Sequence, residues 1–120
     1  MDRVAGPHVI IVEDHRVLAE GLAGVLAARG FSTEAITGNG VADLSRLLAV
    51  VHGAPTARPV VLIDLRLGDG LDGSTFVAPL VDHGAAVLVL TGWSTDLQAA
   101  RCLASGALGV LRKSLSVEEL

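Results

Sequence analysis

Aromatic residues are scarce in this chain of 120 residues: Phe31, Phe76 and Trp93 are all it has. Cysteine is scarcer still. Cys102 stands alone, which excludes an intrachain disulfide and any cysteine-based metal cluster. There is no excess of positive charge; the formal net charge is −4, so the chain is not built to grip a nucleic-acid backbone directly. The opening Met1-Asp2-Arg3-Val4 lacks the charged head and long apolar stretch of a signal peptide. The strongest apolar runs, Val60–Ile63 and Ala85–Leu90, are far too short to span a membrane. No repeat, linker or low-complexity stretch interrupts the sequence. A soluble cytoplasmic domain covering residues 1–120 is the expectation, with neither membrane nor nucleic acid as a direct partner.

What is present is a large stock of Val, Leu and Ala. Half of the chain, 51%, is hydrophobic, enough for a packed interior of small branched side chains. Apolar β-branched runs alternate with helix-period stretches. His8–Val12 is a continuous apolar run, as a parallel strand covered on both faces requires. A helix follows over His15–Arg29, with Leu18, Leu22, Val25 and Leu26 on one face and Gly30 as its stop. Phe31–Thr37 is a more alternating strand, nearer an edge, and Val41–Val51 a second helix. Pro59 opens a third strand over Val60–Leu65. After a loop from Gly68 to Gly73, a third helix runs over Ser74–Asp82 and ends at Gly84. Ala85–Leu90 is the fourth strand, Ser94 caps a helix over Thr95–Ala104, and Ala107–Leu111 is the fifth strand. This alternation predicts right-handed parallel crossovers and an α/β, doubly wound five-stranded parallel sheet, flavodoxin-like, in the order 2-1-3-4-5. Ser116 with Glu119 forms a capping-box signature, so a fifth helix starts near Val117. Only one turn of it precedes Leu120; the expectation is a truncated helix, or a sheet face covered by another chain.

In open parallel sheets, ligands bind beyond the carboxyl ends of the strands. Strand one ends in Glu13-Asp14, strand three in Asp64, strand four in Thr91 and strand five in Lys113, the chain's one lysine beside eight arginines. Three carboxylates gathered there repel one another unless a cation sits among them. Hard oxygen donors without His or Cys at ligand spacing suit Mg²⁺ better than zinc. An Asp carboxylate can attack a phosphoryl group, and that transfer needs mainly in-line positioning and charge neutralisation.

The segments Val12-Glu13-Asp14-His15, Val61-Leu62-Ile63-Asp64, Leu88-Val89-Leu90-Thr91-Gly92 and Gly106–Lys113 together resemble the receiver domain of bacterial two-component response regulators. The match runs the length of the chain, and His15–Leu26 is similar to receivers of the NarL/LuxR type. The resemblance implies that Asp64 is the phosphoacceptor for a phosphohistidine on a sensor histidine kinase. It further implies that Asp14 ligates Mg²⁺ directly, Glu13 mostly through water, and the backbone carbonyl of Arg66 as a further ligand. Lys113 then pairs with the phosphoryl oxygens, and Thr91 moves toward them as the switch. The implied role is regulatory rather than enzymatic: control of an output domain, commonly DNA-binding, with homodimerisation through the fourth helix–fifth strand–fifth helix face.

Departures from the family pattern are specific. Val110 stands where an aromatic usually rotates inward on activation, and Gly68 replaces a loop proline. Trp93 flanks the pocket, where it is expected to shield an acyl phosphate from water. An alternative reading is a phosphorylation-independent pseudo-receiver used for dimerisation or docking. A phosphatase of the haloacid-dehalogenase kind is set aside, because its second Asp would fall at Arg66. Gly68–Gly73 spells GxGxxG, but two acids inside it would repel a pyrophosphate, so it is expected to be a loop. His15 is expected to be a solvated helix start, Cys102 a small buried hydrophobe, and His8, His52 and His83 show no ligand spacing.

Overall fold

The computed structural model describes residues 7–37, 43–67, 71–92 and 96–112. Five strands form one parallel sheet: β1 (His8–Val12), β2 (Ser32–Ile36), β3 (Val60–Asp64), β4 (Ala86–Thr91) and β5 (Gly109–Arg112), in the order β2-β1-β3-β4-β5. Four helices accompany them: α1 (Arg16–Ala28), α2 (Leu44–His52), α3 (Val77–Asp82) and α4 (Asp96–Ala104). The order and the doubly wound architecture are those expected from the alternation of strand and helix. The predicted start near Val117, the Ser116–Glu119 capping box and the cap at Ser94 lie outside the described residues.

Burial explains which strands are central. All of β1 is buried, as is β3 from Val61 onward, whereas β2 is mostly exposed and β5 is half-buried. A strand with neighbours on both sides and helices on both faces has no solvent side, so only continuous apolar runs tolerate that position. Alternate side chains divide the interior into two layers. Ile10, Val12, Val61, Ile63, Val87 and Val89 face α2, α3 and α4 through Leu47, Val51, Leu80 and Cys102. Val9, Ile11, Leu62 and Leu90 face α1 through Ala19 and Leu22. Beside α1, the described residues of this second face border an apolar cavity of about 360 Å³, among them Leu22, Leu26, Phe31, Val60, Leu88 and Leu111.

The element ends differ in detail from the sequence expectation. His15 is the N-cap of α1 and makes no side-chain capping bond. Asp43 caps α2, its carboxylate accepting from the Arg46 N–H at 3.1 Å. The loop after β3 contains a short antiparallel pair, Arg66–Leu67 with Leu71–Asp72. A 3-10 turn over Gly73–Phe76 then precedes α3, so the α-helical part is shorter than the periodicity suggested. Gly30, Gly84 and Gly106 take positive φ at helix ends, where a side chain would be strained.

Candidate metal and phosphoacceptor site

The carboxyl ends of β1, β3 and β4 lie at the point where the strand order reverses, between β1 and β3. Glu13 follows β1 directly and is fully buried, its backbone N–H donating to the Ile36 carbonyl of β2 at 3.1 Å. Asp14 is next along, with a side chain 23% exposed. Asp64 closes β3 and is 3% exposed. Burial at this level is rare for carboxylates unless they are paired or coordinate a cation.

These acids are drawn together. Glu13, Asp14, His15 and Asp64 each place one ligand atom so that all four lie within 4.8 Å of one another. The structure therefore brings three of the predicted metal ligands into one cluster and adds His15. The imidazole lies at the rim, 74% exposed, with Nδ1 3.3 Å from Asp14 Oδ1 and 3.7 Å from Glu13 Oε1. It is solvated, as expected, and also in contact with the acids. The buried donors are all carboxylate oxygens, which fit a hard divalent cation that retains water and accepts phosphate oxygens.

Asp64 is held by its own loop. Its Oδ1 accepts the Arg66 backbone N–H at 3.1 Å, the turn-forming bond typical of Asp two residues before an amide. The carboxylate thus serves both the turn and the cluster. Leu65 N–H donates to the Leu90 carbonyl at 2.8 Å, tying the residue after Asp64 to the one before Thr91. Asp64 is level with Leu90 in the ladder, so Thr91, 3% exposed, lies one step beyond it on the adjacent strand. Thr91 is in turn level with Arg112 on β5. Lys113, Trp93 and Gly68 lie outside the described residues.

One contributor escaped the sequence reading. Gly73 is buried and its N–H donates to the Leu65 carbonyl at 2.6 Å. A Cβ there would run into the Asp64 carbonyl oxygen. The glycine is therefore a packing requirement that lets the returning chain press against the backbone of Asp64. Its position as the last glycine of the Gly68–Gly73 run was the available signal, and it read as loop flexibility instead. Val110, where an aromatic was missed, is half-buried against the core layer beneath α4 and level with Val89.

Comparison with known proteins agrees with this geometry. The response regulator receiver domain family matches residues 9–120. The BvgA virulence-factor positive transcription regulator of Bordetella pertussis is 32% identical over 114 residues, 93% of this chain and 51% of that protein. The chain thus spans about half the length of the curated relatives it matches. A response regulator from Burkholderia pseudomallei, solved with a phosphorylated aspartic acid, calcium and citrate, is similar at TM-score 0.77 and 27% identity, over 94% of this chain and 63% of that one. The receiver domain of NarL from Mycobacterium tuberculosis shares the fold at TM-score 0.77 and 23% identity, over 97% of this chain and 90% of that one. No helix among the described residues is long and apolar enough to cross a membrane. With sheet order, acidic cluster and family match in agreement, the chain belongs to the response regulator receiver domain family.

Proposed function

We propose that this chain is the phosphoacceptor switch of a cytoplasmic two-component system, with Asp64 taking a phosphoryl group from a phosphohistidine on a sensor kinase. The observation that carries this reading is the buried Asp64 carboxylate, oriented by Arg66 N–H and within reach of Glu13 and Asp14. A carboxylate oxygen of Asp64 forms the new P–O bond as the P–N bond breaks; the departing imidazole nitrogen keeps the electron pair and takes a proton from solvent. Glu13, Asp14, Asp64 and the Arg66 carbonyl would hold Mg²⁺, Asp14 directly and Glu13 mostly through water. The cation would neutralise charge shared between the carboxylates and the phosphoryl oxygens. Lys113 would pair with those oxygens, and the Thr91 hydroxyl would move toward them. Trp93 would slow attack by water, and an unchanged dephosphorylation half-life in Trp93→Ala would remove it from that role.

Phosphorylation adds roughly −2 charge at the end of β3. The proposed readout is the surface of α4 and β5, where Leu97, Leu103 and Leu108 are exposed. Exposed apolar side chains there suit self-association into a homodimer and control of an output domain that binds DNA. The comparison with BvgA, a transcription regulator longer than this chain, supports such an output. This domain itself would leave DNA to that partner, given its net charge of −4.

Intact-mass spectrometry after incubation with Mg²⁺ and acetyl phosphate tests the reading. One phosphoryl adduct is expected, absent in Asp64→Asn; an unchanged mass for the native chain counts against it. One observation favours a second reading, a pseudo-receiver that docks or dimerises without phosphorylation. Val110 has no ring to rotate and packs against the core. Failure of the unphosphorylated chain to bind Mg²⁺ would select that reading.

A further inference from the structure

Two histidines far from the acidic pocket converge on one point. His52 is the last residue of α2 and His83 the C-cap of α3. Nε2 of His52 lies 3.0 Å from Nδ1 of His83, with ring centroids 5.1 Å apart and ring planes at 84°. Both side chains are exposed. Helices in this fold return antiparallel to the strands, so the ends of α2 and α3 lie at the sheet edge opposite Glu13 and Asp64. Their separation of 31 residues carries no ligand spacing. The pairing is made instead by the packing of α2 on α3, where Leu47, Val51 and Leu80 share one core layer.

We propose that His52 and His83 form a bidentate surface site for a borderline transition-metal dication of the Cu²⁺, Ni²⁺ or Zn²⁺ kind, with water completing its shell. Imidazole nitrogen is the donor these cations prefer, in contrast to the carboxylate oxygens of the other pocket. With metal–nitrogen bonds of about 2.0–2.1 Å, two nitrogens on one ion stand about 2.9 Å apart at a right angle and about 3.3 Å apart at the tetrahedral angle. The observed 3.0 Å falls in that interval. In the metal-free protein one ring donates its N–H to the lone pair of the other. A bound cation takes a lone pair from each once the two exposed rings turn so that both lone pairs converge on it. The donating ring moves its proton to its other nitrogen through solvent, so two neutral imidazoles bind without net proton release. The ions needed are also favoured electrostatically, because α2 presents the negative end of its dipole at His52. The site would clasp the ends of two helices on the core layer that underlies β3 and β4.

Zinc titration of the full chain, followed by NMR of the histidine ring protons with Mg²⁺ in excess, tests the proposal. Ring signals of His52 and His83 are expected to move together with one stoichiometric equivalent, before those of His15. His52→Gln and His83→Gln should each weaken that binding by about tenfold or more, while the circular dichroism of the metal-free chain stays native. The ring signals of the unmodified chain answer the question even if a variant folds poorly. Zinc perturbing only His15, or binding both variants as tightly as the native chain, overturns the proposal.

Discussion

Strand β1 buries a polar residue at each end, and the two ends are built on different terms. At its start, His8 is 5% exposed and closed in by the neighbouring strand: Nδ1 lies 2.8 Å from Ser32 Oγ and Nε2 3.3 Å from Glu34 Oε1. One tautomer satisfies both contacts, with the Ser32 hydroxyl donating to Nδ1 and Nε2–H donating to Glu34. Just past its other end, Glu13 is fully buried and grouped with two more carboxylates. The first arrangement is complete within the chain. The second concentrates like charge, which raises the free energy of the folded protein unless a cation is supplied. Polar burial at the start of β1 is satisfied by hydrogen bonds to β2, whereas at its end it gathers carboxylates whose mutual repulsion a bound cation would relieve.

Backbone substitution at the acidic end should have the largest effect. Gly73→Ala forces a Cβ onto the Asp64 carbonyl, so the turn must open. A loss of about 3 kcal/mol in urea unfolding is expected, together with poor phosphorylation. A near-native midpoint would mean that the turn relaxes easily and that the close approach does not position Asp64. Next in size is the cation itself. Mg²⁺ at a hundred times its dissociation constant should stabilise the chain by about 2.7 kcal/mol, read as a rise in Tm. Asp14→Asn should lose that rise while being more stable than the native chain without Mg²⁺, since one repulsive charge is gone. If Asp14→Asn is instead destabilised without metal, the contrast between the two ends of β1 fails.

At the opposite end the sign should reverse. His8→Ala removes a buried ring and both of its bonds, and about 2 kcal/mol of stability should go with them. Mg²⁺ should stabilise this variant by as much as it does the native chain, because β1 separates the two sites. A changed Mg²⁺ response would show that the strand transmits between its ends.

The sequence made some of this contrast plain and hid the rest, for physical reasons. The central strands were legible because burial on both faces demands unbroken apolar runs, and Val9–Val12, Val60–Ile63 and Ala86–Leu90 meet that demand. Glu13, Asp14 and Asp64 were legible because an acid directly after such a run has no other place than the strand end. Boundaries were harder. Ser74–Phe76 was expected to open the third helix but winds with Gly73 as a 3-10 turn, since the chain must first press Gly73 against Asp64. That approach depends on tertiary structure and leaves no local periodicity. The same holds for His8 with Glu34 and for His52 with His83, pairs that exist only after strands or helices pack. His8 looked like one more residue in an apolar run; its partners lie across the ladder on β2, in a segment that otherwise reads as a plain edge.

The smallest effect concerns the outer bond of that arrangement. Glu34 is about half exposed, with 48% of its side chain accessible, so its contact with His8 competes with water. Exposed charge pairs contribute little, and Glu34→Gln keeps an amide oxygen that can accept Nε2–H in the same place. A loss of about 0.5 kcal/mol or less is expected from chemical denaturation, and it should not change with added salt. A loss several times larger, shrinking as salt is raised, would mean that the bond depends on charge rather than on an N–H donor. The start of β1 would then be an ion pair, and both ends of the strand would hold charge that folding must accommodate.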